Sequence, residues 1–264
     1  MFKRILSSSL ILLATPALAQ DDAETSPWSG ETSLGYSKES GNTNETNVNF
    51  SQKLVYDAKP WLNTLTLSGK GSKTENITED ADGNEISSED ETTDEAYYIT
   101  EQLDYFFGDS PSYSFARATW EKDRFNGYDH QITGVLGYGN EIIANDAVNL
   151  KLEIGVGIRS DELSDPLTTS DGETRMAGDK NDEEIIYLSD QFVWTLSEGA
   201  EFGQSLNIEY ADVNTVSRFD VYLKAQLISS IAMKLSYEIK HQEVVADDSE
   251  KTDKIFLASL LYSF

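Results

Sequence analysis

The chain has no cysteine among its 264 residues, which excludes a disulfide scaffold and a lipoprotein anchored through a cysteine. Positive charge is scarce: 20 lysines and arginines stand against 47 aspartates and glutamates, a formal charge of -27. So acidic a surface lacks the clustered cations that phosphate binding requires, so nucleic acid is excluded as a partner. Electrostatic docking onto anionic lipid is excluded for the same reason. Beyond the N-terminal stretch Ile5 to Ala14 no run approaches the roughly 18 apolar residues of a membrane helix. A helical membrane protein is therefore out. A membrane β-barrel is not, because alternating strands average their polar and apolar faces and escape a hydropathy window.

The N-terminus carries an address. Lys3 and Arg4 precede the mostly apolar Ile5 to Ala14, and Ala17-Leu18-Ala19 forms a small-residue cleavage site before Gln20. This is the pattern of a secretory signal peptide, too short to span a bilayer. Residues 1–19 are expected to be removed, leaving 20–264 as one exported domain without disulfides.

After a polar lead, alternation predicts strands at 28–38, 46–57, 61–75, 95–108, 112–124, 129–143, 147–160, 184–197, 201–213, 216–228, 231–245 and 252–264. Most reach about 12 residues, whereas globular strands usually have about 5–6 and a tilted bilayer crossing takes about 9–11. Each run sorts into an oily and a wet face. Val148, Leu150, Leu152, Ile154, Val156 and Ile158 alternate with Asn149, Lys151, Glu153, Gly155, Gly157 and Arg159. Ile231, Met233, Leu235, Tyr237 and Ile239 alternate with Ala232, Lys234, Ser236, Glu238 and Lys240. Gln52, Glu101 and Asp190 break the oily parity, and 112–124 is the least regular run.

A soluble sandwich would also alternate, but the connections discriminate. Asp57 to Pro60, Gly108 to Pro111, Asn145-Asp146, Glu198 to Ala200 and Ser229-Ser230 are short, and between them lie the longer or polar 76–94, 161–183 and 246–251. Short turns at one end and long loops at the other mark an outer-membrane barrel, with the short turns periplasmic. Aromatics form two bands. Trp28, Tyr56, Trp61, Phe107, Trp194, Phe202, Tyr262 and Phe264 lie near the short turns or termini, and Tyr36, Tyr97, Phe125, Tyr128, Tyr187, Tyr210 and Tyr237 toward the long connections. Such bands suit the two membrane interfaces. The fold expected is all-β: a closed antiparallel up-and-down transmembrane β-barrel of about 12 strands with long acidic extracellular loops. Its oily side chains look outward and its charged ones fill the middle.

The last stretch, Lys251 to Phe264, places Phe256, Ala258, Leu260, Tyr262 and Phe264 on one parity and ends on the aromatic. It resembles the closing strand of bacterial outer-membrane barrels, in which the terminal aromatic is read by the barrel-assembly machinery; Tyr262 and Phe264 are the residues that resemblance assigns. The opening W-S-G-E-T-S-L-G-Y (Trp28 to Tyr36) and the hairpin S-G-N-T-N (Ser40 to Asn44) resemble the salt-induced outer-membrane protein family, a proteobacterial group of unknown function. The resemblance implies an outer-membrane location in a Gram-negative bacterium and a barrel, with lipid and lipopolysaccharide as surroundings; the function expected is envelope integrity or a narrow passage under salt or osmotic stress. The resemblance assigns no catalytic residue.

Candidates for chemistry are few. The two histidines, His130 and His241, lack the H-x-S arrangement of an outer-membrane phospholipase, although Asp129-His130, or His241 with Asp247, could form a rim hydrolase of the Asp-His type. Asp80, Asp82 and Glu85 lie in an acidic stretch whose D-A-D-G-N is similar to a calcium loop, but its glycine is misplaced for an EF-hand. Divalent cations bridging such carboxylates to lipopolysaccharide are the partner this stretch suggests. No cofactor is expected, and no enzymatic activity. The inward parity carries Lys53, Lys70, Arg117, Glu121, Lys151, Glu153, Arg159, Glu209, Arg218, Lys224, Lys234, Glu238 and Lys240. Such charges must pair or be hydrated in a lumen between that of a filled eight-stranded barrel and a sixteen-stranded channel. The expectation is a narrow conduit favouring cations, because its outer mouth is anionic. A secreted soluble β-sandwich is the third reading.

Overall fold

A computed structural model of the chain describes residues 26–39, 44–79, 85–124, 127–168, 174–245 and 250–264, with side chains for all of these except 38, 39, 44, 45, 76–79 and 85–90. The expected signal peptide, the turn at 40–43, Phe125, Asp247 and the candidate ligands Asp80 and Asp82 lie outside the described residues, as does the side chain of Glu85. The strands in chain order are β1 (Trp28–Glu39), β2 (Asn44–Ala58), β3 (Trp61–Glu79), β4 (Glu85–Phe106), β5 (Ser112–Asp123), β6 (Tyr128–Ala144), β7 (Val148–Leu163), β8 (Leu167–Thr168), β9 (Thr174–Arg175), β10 (Lys180–Ser197), β11 (Ala200–Tyr210), β12 (Val216–Ile228), β13 (Ile231–Gln242) and β14 (Thr252–Ser263). All but the small β8–β9 hairpin form one closed barrel of twelve antiparallel strands, each paired with its neighbours in sequence. Among the described residues no helix is long and apolar enough to cross a membrane.

Closure is made by the ends of the chain. β1 pairs with β14 from Glu31↔Ser263 to Gly35↔Ser259, and Gly30 and Phe264 exchange backbone hydrogen bonds of 3.0 Å in both directions. The Phe264 ring lies over Gly30, in space that a Cβ there would take. The C-terminal aromatic thus covers the bare backbone of the first strand and stacks on Tyr262. At the short-turn end the loops are held locally. Asn145 Oδ1 accepts from the backbone N–H groups of Ala147 and Val148 at 3.0 and 2.9 Å, an Asx turn that spares the loop any longer connection.

Register sends the oily parity outward. Leu34, Leu136, Ile154, Val156, Ile158, Leu223, Phe256 and Leu260 are each 45–68 % exposed, a pattern no water-facing core would show. Trp28, Trp61, Phe107, Trp194 and Tyr262 ring one end of this belt, and Tyr36, Tyr97, Tyr210 and Tyr237 the other. Two aromatics assigned to the outer bands belong elsewhere: Tyr128 and Tyr187 are each 2 % exposed and point inward. Tyr187 has odd parity on a strand whose even residues, Ile186 and Leu188, face out.

The interior is also less uniformly charged than expected. Phe106, Tyr113, Phe115, Val135, Ile185 and Tyr187 form a buried apolar cluster inside the barrel on the side of β4 to β6 and β10. The rings fit because Tyr113 and Phe115 of β5 face Gly139 and Gly137 of β6. At Gly137 a side chain would meet both the Phe115 ring and the Ile154 carbonyl, whereas Gly134 on the outer face of the same strand has open space. Gly137→Val is therefore expected to cost about 1–3 kcal/mol or more by overpacking, and Gly134→Ala no more than about 0.5 kcal/mol. The midpoint of urea unfolding, read as loss of compact gel migration, measures both.

The longer connections differ from the sequence reading. Residues 76–94 are mostly strand: β3 and β4 run past the apolar belt as a polar ribbon paired out to Glu79↔Glu85. The segment 161–183 contains the ends of β7 and β10 and the β8–β9 hairpin. Leu167 from that hairpin packs with Tyr128, Leu163 and Val244 into a second small apolar cluster at the long-connection end.

Candidate passage through the barrel

The thirteen charged residues assigned to the inward parity from the sequence all point into the barrel, since their register partners share one face from strand to strand. They group by height. Near the long-connection end Arg159 of β7 is 2 % exposed. It donates to Glu183 of β10 at 2.6 Å and to Glu209 of β11 at 3.4 Å, and also to the backbone carbonyl of Asn214. Three groups thus neutralise or accept from one guanidinium, which is what allows it to be buried.

The Asn214 side chain completes a roof above this knot. Its Nδ2 donates to the Val244 carbonyl at 3.1 Å and to the Tyr128 hydroxyl at 3.3 Å, and its Oδ1 accepts from the Val244 N–H at 3.0 Å. Together with the cluster around Leu167, these bonds tie the ends of β6 and β7 and the segments after β11 and β13 across one side of the mouth.

A second knot lies beside the first. The Glu121 carboxylate accepts from both Arg218 and Lys240, and Arg218 also approaches Glu209 at 3.6 Å. One chain of charges therefore runs from β10 through β7, β11 and β12 to β5 and β13, fixing strands on opposite sides of the barrel.

Lower down, Glu153 accepts from the Tyr113 hydroxyl and from Gln102, each at 2.8 Å. Arg117 donates to Gln102 at 3.0 Å and lies 5.6 Å over the Tyr187 ring, and Lys151 pairs with Glu141 at 3.1 Å. The apolar cluster and these bonds fill the β4–β7 side.

The other side is open. A cavity of about 500 Å³ runs along β1 to β3 and β11 to β14. It is lined by the cations Lys53, Lys70, Arg218, Lys224, Lys234 and Lys240 and by the carboxylates Glu31, Glu201, Asp220, Glu238 and Asp253. Lys224 bridges Glu31 at 3.1 Å and Glu201 at 3.5 Å, and Lys70 pairs with Asp94 at 2.8 Å. Lys234 lies 4.5 Å over the Tyr222 ring. Glu31, Glu201, Asp220 and Asp253 share the inward parity of the basic residues, so alternation alone places these acids in the lumen too.

Of the two histidine–aspartate pairs considered, the described residues include one, Asp129 with His130. His130 contacts Asp129 at 3.1 Å, which in turn pairs with Lys122 at 3.0 Å, all at the rim. His241 faces outward and contacts the Thr252 hydroxyl at 2.8 Å, and among the described residues no ion pair reaches it. No group of three or more metal-ligating side chains occurs among the described residues.

A family model described as a protein of unknown function, DUF481, matches residues 32–264. An uncharacterized protein of Escherichia coli (strain K12), YdiY, is 25% identical over 238 residues, covering 90% of this chain and 83% of its own. Among solved structures, the translocator domain of the autotransporter NalP from Neisseria meningitidis is similar at TM-score 0.45 and 10% identity, covering 92% of this chain and 90% of its own. An outer membrane channel from Pseudomonas putida F1 is similar at the same TM-score and identity, covering 92% and 96%.

Proposed function

The chain belongs to the DUF481 family, a membership that brings no activity with it, and we propose that it is an integral, non-enzymatic outer-membrane β-barrel of a Gram-negative bacterium. The observation that carries this reading is the belt of exposed aliphatic side chains, rimmed above and below by aromatics, on a barrel whose interior holds the charges. Such a surface is costly in water and suited to lipid. The short turns then face the periplasm. The polar ribbon of β3–β4 and the roof held by Asn214 face outside, among lipopolysaccharide. Divalent cations would bridge that lipid to the acidic stretch at Asp80, Asp82 and Glu85. Tyr262 and Phe264, on the strand that closes the barrel, present the surface offered to the assembly machinery.

Within this reading the barrel is a narrow conduit. The cavity gives water and small ions a path along one side, and the roof restricts it. Asp129, Asp165, Asp179, Asp182 and Asp212 are exposed at the outer rim, so cations are concentrated there and anions repelled. We propose that such a conduit, or an envelope-strengthening role, serves under salt or osmotic stress.

The reading is tested on the purified protein. Unboiled protein should migrate as a compact species that shifts on heating, and planar-bilayer recordings should show small steps whose reversal potential favours cations. A barrel that gives no steps, or steps that favour anions, would contradict the conduit. Release from membranes by carbonate washing would contradict the membrane location itself.

A further inference from the structure

The outer wall carries one polar pair that the conduit does not use. Glu101 faces outward on β4 between Ile99 and Leu103, which are 42 and 39 % exposed. It is equally spaced along its strand from Tyr97, of one aromatic band, and Tyr105, which packs on Trp61 of the other. At about 3.3 Å per residue and a tilt of about 40°, each aromatic is roughly 10 Å of height away, so the carboxylate stands near mid-depth. Asn63 of β3 donates to one of its oxygens.

An amide nitrogen has two N–H groups and a carboxyl group two oxygens. Among the described residues neither group makes a further hydrogen bond, so one donor and one acceptor are left without a partner. Acyl chains satisfy neither, and a charged side chain near the bilayer centre is penalised on insertion. The wall beside the pair is also unlike the rest of the belt. Glu101 is in register with Ala118 of β5, and Ala118 with Gly134 of β6. Ala116, Ala118 and Gly134 are all exposed, and nothing lies within 4 Å of where a Gly134 side chain would begin. Asp190, which also faces outward, lacks such a recess, because its register partners are Leu206 and Leu152.

We propose that this face is where a second copy of the chain docks, about a two-fold axis parallel to the barrel axis. Copies in one membrane share an orientation, so the axis brings the two Glu101–Asn63 pairs to the same height. The free N–H of each Asn63 then meets the free Glu101 oxygen of the other copy. The pair is self-complementary, as an isologous contact requires, and the recess at Ala118 and Gly134 lets the two walls approach closely. The inference rests on the wall being lipid-facing.

A chain without cysteine gives a clean background for the test. Ala118→Cys and, on the far side of the barrel, Leu223→Cys are oxidised in isolated outer membranes, each with and without Gly134→Trp, and the mass of the unaltered protein is measured in lipid nanodiscs. The expected result is a disulfide-linked dimer from A118C, at least tenfold more than from L223C, lost when G134W fills the recess, with a dimeric mass for the unaltered barrel. Equal yields at the two positions, a yield indifferent to G134W, or a monomeric mass would overturn it. Should G134W not assemble, the mass of the unaltered barrel decides. Release of the unaltered protein by carbonate would instead remove the lipid-facing reading.

Discussion

Replacing Arg159 by methionine is expected to destabilise the barrel by about 3–5 kcal/mol, the cost of leaving buried charges without their partner. Glu183 and Glu209 are each 8 % exposed, and without the guanidinium two carboxylates face one another across β10 and β11. The carbonyl of Asn214 loses a donor in the same step, so the roof loosens along with the knot beneath it. The methionine keeps most of the side-chain volume, which separates charge from packing. Urea titration followed by compact gel migration measures the loss. Adding Glu183→Gln and Glu209→Gln should restore part of it, since the repulsion is then removed. A single variant as stable as the unaltered protein would mean that the knot adds nothing to stability.

Glu121→Ala is expected to act on ion selectivity more than on folding. The carboxylate is 3 % exposed and serves both Arg218 and Lys240, which border the cavity and can be hydrated once it is gone. Lys240 then stands in the conduit without its counter-charge, and Arg218 keeps only Glu209 at 3.6 Å. A unit charge at close range in a medium between water and protein changes ion energies by about 1 kcal/mol or more, so the ratio of cation to anion permeability should fall by about fivefold. The reversal potential under a salt gradient reports it. Movement of that potential toward cations, or none, would show that ions do not pass this part of the lumen.

Much of the barrel was legible in the chain. The run read as 147–160 is β7 at Val148–Leu163, and each expected strand has its counterpart, because a side chain facing lipid must alternate with one facing the lumen. The ribbon at 76–94 was not legible, for a related reason. Its strands extend beyond the apolar belt, and the sequence there carries no oily stripe to mark them. Tyr187 was misplaced by sorting aromatics on position alone, when its parity against Ile186 and Leu188 sends it inward. The inward cluster of Tyr113 and Phe115 is why 112–124 looked irregular: that strand turns Ala116 and Ala118 outward and its rings inward, against Gly139 and Gly137.

The candidate conduit was legible by residue but not by partner. Parity gave the inward charges. Which of them meet depends on the curvature and stagger of the closed sheet, which bring Glu121 to Lys240, 119 residues away. Asn214 carries no pattern at all, since its role comes from a loop folded over the mouth.

The central claim is that even residues of β7 touch lipid and odd ones the lumen. Spin labels placed singly at cysteines introduced from Leu150 to Ile158, in membranes, test it through collision with oxygen and with a water-soluble nickel chelate. Oxygen accessibility should peak at 150, 152, 154, 156 and 158, and fall at the positions between. A trace without a two-residue period, or one in which the even positions collide chiefly with the chelate, would contradict a barrel that wears its apolar face outward.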